Sequence, residues 1–303
     1  RGGMLGNSIV HVVGLAFRLF IELECRSARQ ERRMTLPDPS DTLRLIAPDE
    51  VPPVLEENAQ SRSPFFFTCD HYGRLIPRVL GDLGVSASEL ERHIAWDIGI
   101  AGVATLLAKE LGVHLIAQRY SRLVIDCNRP FSNPGSIPLI SEATEIPGNG
   151  GLTKEQIAAR QQAVFAPYHA RIAQALDARK ANGLPTILVS LHSFTPVYAG
   201  IARPWHVGTL YHRDDRLPHM LRDLLRKEGD LVVGDNEPYA VSDATDYTIP
   251  VHAEQRRLMH TGIEIRQDLI GDQSGQREWA ERLARLLREI EDTLHADKLM
   301  PAE

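Results

Sequence analysis

The sequence predicts an α/β protein with an open, mixed and largely parallel sheet that carries helices on both faces. Short apolar runs of β type alternate with longer runs of helical periodicity from about residue 64 onward. The clearest strand, PTILVSLHSF (185–194), is almost continuously apolar, which is typical of a parallel strand covered on both faces. A chain of 303 residues, 43% of them hydrophobic, is long enough to bury such a core.

The other elements follow in chain order. The helix WDIGIAGVATLLAKELG (96–112) has apolar residues at spacings of three and four and ends at Gly112. A second helix runs over 153–183 from the N-cap candidate Thr153, and an amphipathic helix over 274–298 closes the chain. Further strands are predicted at SPFFFTCDH (63–71), VHLIAQ (113–118), RLVIDCN (122–128), DLVVGDN (230–236) and TGIEIRQDLI (261–270).

Residues 34–303 are predicted to form a single catalytic domain. Residues 1–33 are interpreted as a leader or amphipathic extension outside the core fold, because Met34 opens a new segment. The apolar stretch 6–26 contains acidic and basic side chains, so a membrane-spanning helix is not expected there. The Gly/Pro/Asn-rich loop 129–151 is too long for an ordinary connection, and such loops are usually functional.

Composition narrows the range of partners. The formal net charge is -6 with no basic stripe, which argues against a nucleic-acid partner. Three cysteines without a CxxC pair favour a reducing cytoplasm over a disulfide-bonded secreted protein. The chain has no G-x-G-x-x-G, GxxxxGK[ST] or GxSxG segment, so dinucleotide sites, nucleoside triphosphate sites and a serine nucleophile elbow are not supported.

Two histidines follow or end predicted strands, where ligands bind in open α/β sheets. His71 and His192 are metal-ligand candidates, because two imidazoles and one carboxylate make an open zinc site; taken singly, each is more often structural. Arg74 stands where the common carboxypeptidase spacing has a glutamate. The third ligand is therefore Asp97, at the start of the next helix, or Asp70, which needs a turn to bring it round. We prefer Asp97, whose competing role is a helix-start carboxylate.

A buried acid is predicted on the last strand. Glu264 lies between two isoleucines, where a carboxylate is costly unless it is paired or used. Beside an activated water it would serve as general base and then as proton donor to the leaving amine. The competing explanation is an ion pair with Arg266, which is also a candidate for substrate binding. His252, Asn236 and His206 are weaker candidates for lining the pocket.

An arginine-rich segment points to an anionic substrate. Asn128 and Arg129 are predicted to bind a substrate carboxylate, because a guanidinium pairs with both oxygens of an anion and an amide adds a donor. Arg122 is predicted to stabilise the oxyanion that forms from the scissile carbonyl. The alternative is that these arginines pair with Asp126 or with other acids at the surface.

Several segments occur in a fixed order along residues 45–290: CDH…RLIP, HIAWDIGIAGVATLLAKELG, QRYSRLVIDCNRP, PYH, VSLHSFTPV, RPWHVG, VGDNEPY, YTIPVHAE and IEIRQDLI. This order resembles the N-formylglutamate amidohydrolase family, which is similar to the zinc-dependent exopeptidases and amidohydrolases. The resemblance implies one zinc ion per chain and hydrolysis of N-formyl-L-glutamate to formate and glutamate, late in histidine breakdown. A segment of the NRP type resembles the substrate-carboxylate element of carboxypeptidases, and the muramoyl-alanine amidases take an acidic ligand from the following helix, which supports Asp97.

The chain departs from close relatives beside the first histidine. Where those relatives tend to have CEHASN, this chain has CDHYGR, so Tyr72, Gly73 and Arg74 change the pocket. The primary hypothesis is a zinc amidohydrolase that removes a small acyl group, such as formyl, from an acidic N-acylamino acid. Two alternatives remain at this point, namely a peptide or cell-wall amidase of the same fold, and an inactive relative that binds an acidic ligand.

Overall fold

A seven-stranded mixed sheet lies at the centre of the protein. The computed structural model describes residues 44–297. The strands are β1 (Val54–Glu57), β2 (Phe65–Cys69), β3 (His114–Gln118), β4 (Ile140–Ser141), β5 (Thr144–Glu145), β6 (Ile187–Phe194), β7 (Val197–Tyr198), β8 (Ile201–Ala202), β9 (Val207–Leu210), β10 (Val233–Asp235) and β11 (Met259–Arg266). The sheet order is β1-β3-β2-β6-β11-β9-β10, in which β3, β2, β6 and β11 run parallel, β1 is antiparallel to β3, and β9 is antiparallel to β11.

Helices connect the strands. The α-helices are α1 (Ala87–Leu90), α2 (Ile100–Leu111), α3 (Lys154–Arg160), α4 (Ala166–Ala181), α5 (Arg216–Lys227) and α6 (Gln273–Ala296). A π-helical stretch, Gln161–Phe165, joins α3 to α4, so the helix predicted over 153–183 is continuous but changes its hydrogen-bond pattern in the middle. Thr153 begins it with a capping box, as its side chain accepts from the Gln156 backbone N–H. A second π-helical stretch covers Ile249–Ala253.

Each face of the sheet packs against its own core. Successive side chains along β2 point to opposite faces of the sheet, so Phe65 and Phe67 pack in one core and Phe66 in the other. The first core is closed by α2, α5 and α6, and the second by α4 together with the segment 120–127. Full burial of each phenylalanine contributes about 2–3 kcal/mol relative to exposure. The predicted open mixed sheet with helices on both faces is therefore confirmed.

One predicted strand is wrong. Residues 122–128 (RLVIDCN) form turns instead of joining the sheet. The Ser121 hydroxyl accepts from the Leu123 backbone N–H, and the Asp126 carboxylate accepts from the Asn128 backbone N–H, so side chains take the hydrogen bonds that a strand would have needed. The apolar residues of the segment are buried nonetheless, because they pack on the second core face. An apolar run therefore indicated burial here without indicating a strand.

The described residues belong to one compact unit. The interpretation of residues 1–33 as a leader lies outside them and, with the domain limits of 34–303, stays a prediction. Within residues 44–297 no helix combines the length and the apolar character needed to cross a bilayer.

Candidate metal site and catalytic cavity

Three buried side chains converge at the carboxyl edge of the parallel strands. His71 follows β2, Asp97 precedes α2, and His192 lies on β6. Asp97 Oδ2 is 3.0 Å from His192 Nδ1 and 3.5 Å from His71 Nδ1, and one ligand atom of each residue lies within 4.8 Å of the others. The Asp97 backbone N–H also donates to the His71 carbonyl at 3.0 Å, which joins the turn before α2 to the end of β2.

This donor set fits a divalent metal ion. Nδ1 of His71 is buried and has no hydrogen-bond partner, so it presents a nitrogen toward Asp97 that nothing else in residues 44–297 uses. Two imidazoles and one carboxylate are the usual protein ligands of an open zinc site. Asp70, the alternative third ligand, faces the opposite nitrogen of His192: its Oδ2 is 3.2 Å from Nε2. The geometry therefore favours Asp97 over Asp70.

Arg122 lies directly beside these groups. Its Nε and one terminal nitrogen donate to Asp126 Oδ2 at 3.2 and 2.8 Å, and its other terminal nitrogen donates to Asp97 Oδ1 at 3.3 Å. Arg122 does pair with Asp126, as the alternative interpretation held, but the pair lies in the cavity and not at the surface. Three of the five guanidinium N–H groups are used in these bonds, which leaves two that can donate to a ligand.

The charges at the site stabilise the ionised carboxylates. Burial opposes ionisation of Asp97, but the charges of His71 and His192 outweigh it, so the pKa of Asp97 lies below its ordinary value. For Asp126 the burial effect is likewise outweighed, here by Arg122 and His71, and its pKa is well below the usual range. These acids therefore remain negatively charged at neutral pH, as a cation ligand and its neighbours must be.

Glu264 is a cavity acid with one oxygen that no other group in residues 44–297 hydrogen-bonds. It lies on β11 opposite His192 of β6, and both side chains point to the same face of the sheet. Its Oε2 is buried without a hydrogen-bond partner, and burial raises the pKa of the carboxyl to about 7. The ion pair with Arg266 does not form, because the Arg266 guanidinium donates to Asp268 at 2.8 Å. An unpaired carboxyl with a pKa near neutrality suits general acid–base work.

The converging residues line one cavity of about 590 Å³. Arg129 lines it, although one terminal nitrogen donates to the Thr245 carbonyl at 2.5 Å. Asn128 lines it too, but its side chain is largely committed: Oδ1 accepts from the backbone N–H groups of Tyr247 and Thr248, and Nδ2 donates to Asp246. The candidates that the cavity brings together are His71, Asp97, Arg122, Asn128, Arg129, His192 and Glu264.

A family comparison agrees with this site. The model of the N-formylglutamate amidohydrolase family matches residues 63–271, a range that contains every cavity residue named above. The chain belongs to the N-formylglutamate amidohydrolase family. This confirms the resemblance found in the sequence and makes the protein an amidohydrolase of that family.

Two solved structures share the fold of this N-formylglutamate amidohydrolase family member. A crystal structure of a gene product of Agrobacterium tumefaciens is 37% identical with a TM-score of 0.79, covering 83% of this chain and 100% of that chain. An N-formylglutamate amidohydrolase from Ralstonia eutropha has a TM-score of 0.55 at 18% identity, covering 79% of this chain and 99% of that chain, and shows the same fold. No curated protein matches the chain.

Four of the residues considered for the site from the sequence do not line the cavity of this family member. Arg266 lies at the end of β11 and turns to Asp268. Asn236 has a positive φ of 52°, and its Oδ1 accepts from the Tyr211 backbone N–H, which is a turn-forming role. His206 accepts from the Val232 backbone N–H. None of these residues, nor His252, is among the residues that line the cavity, so the structure does not bring them to the site.

Some residues that line the cavity of this family member were not predicted from the sequence. Tyr198 and Tyr239 line the cavity, and the Arg203 guanidinium lies 4.7 Å from each of their ring centroids. His93 also lines the cavity, with its ring 6.3 Å from that of Tyr198. His93, Tyr198 and Tyr239 are far apart along the chain and share no short motif, so only the folded structure brings them together.

A pair of buried histidines lies outside the cavity lining. His169 Nδ1 is 2.9 Å from His252 Nε2, and His169 Nε2 is 2.8 Å from the Cys127 carbonyl. The arrangement is satisfied when His169 Nε2–H donates to the carbonyl and His252 Nε2–H donates to His169. Burial lowers the pKa of His169 to about 4 and that of His252 to about 3, so both rings are neutral at pH 7.

We expect this histidine pair to make the fold sensitive to acid. Its contribution is fully present above the unfolded pKa of about 6.5 and is lost as the pH falls toward the folded values, because only the unfolded imidazoles take up protons. Between pH 7 and 4.5, proton uptake by His252 in the unfolded chain lowers the free energy of unfolding by about 2–3 kcal/mol. Urea unfolding of wild type and His252→Gln at both pH values measures it. The wild type should lose more free energy of unfolding on acidification; equal losses would contradict the assignment.

Proposed function

We propose that the protein is a zinc-dependent amidohydrolase that removes a formyl group from an acidic N-acylamino acid such as N-formyl-L-glutamate. The observation that carries this proposal is the convergence of His71, Asp97 and His192 beside an unpartnered Glu264 in one cavity. Family membership supplies the reaction class, the cleavage of a linear amide. Formate and glutamate as products would place the reaction late in histidine breakdown, and a cytoplasmic location goes with it; both stay predictions.

In this proposal His71, Asp97 and His192 would hold one zinc ion. When bound, zinc supplies Lewis acidity, which polarises a carbonyl and makes a water molecule more acidic. The side chains themselves provide a dry and preorganised setting, since all three are buried. Asp97 Oδ2 is also held by the Ser193 backbone N–H at 3.2 Å, so the carboxylate is fixed in place before any ion binds.

Glu264 moves the protons of the reaction. Its carboxylate accepts a proton from the water that attacks the amide carbonyl, and it returns that proton to the departing nitrogen as the carbon–nitrogen bond breaks. One water is consumed, and a carboxylic acid and an amine are formed, so no other reactant is needed. A carboxyl whose pKa is raised to about 7 by burial can do both steps near neutral pH.

Two arginines orient the substrate in this scheme. Arg122 directs its two remaining N–H groups at the carbonyl oxygen, where negative charge develops. Arg129 lines the same cavity and binds a carboxylate of the amino acid, which a guanidinium recognises through two parallel hydrogen bonds. Asn128 shapes the wall, because its side chain holds the backbone at Tyr247 and Thr248.

A substrate panel with metal analysis on the same sample tests the proposal. We expect about one zinc per chain and faster release of formate from N-formyl-L-glutamate than of acetate from N-acetyl-L-glutamate. Cleavage of a muramoyl-L-alanine substrate alone would instead assign a cell-wall amidase. Protein that contains no metal and binds glutamate derivatives without turnover would assign an inactive binder, and either result would overturn the proposal.

A further inference from the structure

Each candidate ligand histidine has a carboxylate at the nitrogen that faces away from Asp97. His71 Nε2 is 2.7 Å from Asp126 Oδ1, and His192 Nε2 is 3.2 Å from Asp70 Oδ2. His71 follows β2 and His192 lies on β6, yet they carry the same arrangement, with Nδ1 toward Asp97 and Nε2 toward a buried acid. This repeated pattern keeps a proton on Nε2 of each ring.

The argument for the tautomer follows from the chemistry of the partners. An ionised carboxylate only accepts hydrogen bonds, so Nε2 of each ring donates to the acid beside it. Nδ1 of each ring faces Asp97, and a metal ion would take the place of any proton there, which leaves a neutral imidazole with its lone pair on Nδ1. Ser190 agrees with this arrangement around His192: its hydroxyl lies 3.0 Å from Nε2 and 3.4 Å from Asp70 Oδ2, so it can accept from the ring and donate to the acid.

The two carboxylates are connected through Asn128. Its backbone N–H donates to Asp126 Oδ1 at 2.9 Å. Its side-chain Oδ1 accepts from the Thr248 backbone N–H at 3.0 Å, and the Thr248 hydroxyl donates to Asp70 Oδ1 at 2.6 Å. All these groups except Asn128 are almost fully buried. Asn128 therefore contacts Asp126 directly and Asp70 through Thr248, and these are the carboxylates that face the two histidines.

We propose that Asp70 and Asp126 are positioning residues, which accept the Nε2 protons of His192 and His71 so that both Nδ1 atoms point at one ion, with Asn128 tying the two acids together. The metal in this inference rests on the proposed function. Asp70 carries the clearer case, because His192 is its only ion-pair partner in residues 44–297, whereas Asp126 also pairs with Arg122. The inference gives Asp70 a role other than the ligand role considered from the sequence.

The test is a zinc titration of the metal-free full chain against a chelating indicator. Asp70→Asn removes the charge and keeps the shape, and we expect it to weaken zinc binding by about 10- to 100-fold. Thr248→Val removes only the hydroxyl that holds Asp70, so its loss should be smaller. Glu56→Gln is the matched control, because Glu56 pairs with Nε2 of the buried His114 at 2.7 Å and neither residue lines the cavity. Its zinc affinity should equal that of wild type.

The outcomes separate this inference from the proposed function. Wild type that fails to bind zinc overturns both. Zinc binding by wild type with equal affinity in Asp70→Asn and Thr248→Val overturns the positioning role alone. Circular dichroism checks that each variant folds, and if Asp70→Asn does not fold, Thr248→Val decides the question. The absorption spectrum of the cobalt-substituted protein gives a second readout, since a reoriented imidazole changes the ligand field while a merely structural defect far from the ion does not.

Discussion

Replacing Glu264 by glutamine is expected to lower kcat by about 100- to 10,000-fold while the zinc content stays unchanged. Glutamine has nearly the same shape but cannot accept a proton from water, and Glu264 is not one of the three converging ligands. Little structure is lost, because Oε2 has no hydrogen-bond partner to lose. Formate release from N-formyl-L-glutamate and metal analysis on the same sample measure both quantities.

Two further variants sharpen this prediction. Glu264→Asp keeps the acid but retracts it by one methylene, so we expect activity between those of wild type and the glutamine variant. Glu254→Gln is the matched control, since Glu254 is a half-buried residue whose side chain pairs with Arg213 away from the cavity, and its kcat should be that of wild type. Full activity in Glu264→Gln would remove Glu264 from the mechanism, and loss of zinc would make it a ligand.

The fold was predictable where one pattern had one physical cause. The apolar run of 185–194 became the eight-residue strand β6, because a strand covered on both faces needs apolar side chains throughout. The run RLVIDCN carried the same signal for a different reason, since its side chains are buried beneath turns that Ser121 and Asp126 stabilise. Hydrophobicity reports burial, and here polar side chains decided the backbone conformation.

The candidate site was predictable from the positions of strand ends, but not from the alternation of side chains between the two faces of a strand. The carboxyl-edge rule brought His71, His192 and Glu264 into one region, as found. This alternation also puts Arg266 on the same face of the strand as Glu264. Arg266 is, however, the last residue of β11, and its guanidinium donates to Asp268 instead. No sequence pattern shows which imidazole nitrogen faces a ligand. That distinction came only from the positions of the neighbouring carboxylates.

Replacing either candidate ligand histidine by alanine should abolish zinc binding. Each of His71→Ala and His192→Ala removes one of the three proposed ligands, so we expect the zinc content to fall from about one per chain to near zero after dialysis. If zinc provides about 4 kcal/mol of transition-state stabilisation, kcat/KM falls by about 1,000-fold. Metal analysis and formate release measure these losses, and a His192→Ala variant that keeps its zinc would exclude His192 as a ligand.

The same two variants should differ in the stability of the metal-free protein, which separates an ion-pair role from a ligand role. His192→Ala leaves Asp70 fully buried without a cation, and breaking such a pair costs about 3–5 kcal/mol. His71→Ala leaves Asp126 paired with Arg122 at 2.8 Å, so the expected loss is smaller. Urea unfolding of both variants without zinc measures the difference. Equal free energies of unfolding would mean that the ion pair with His192 does not stabilise the buried Asp70 carboxylate. That result would contradict the proposed role of Asp70 in positioning the imidazole.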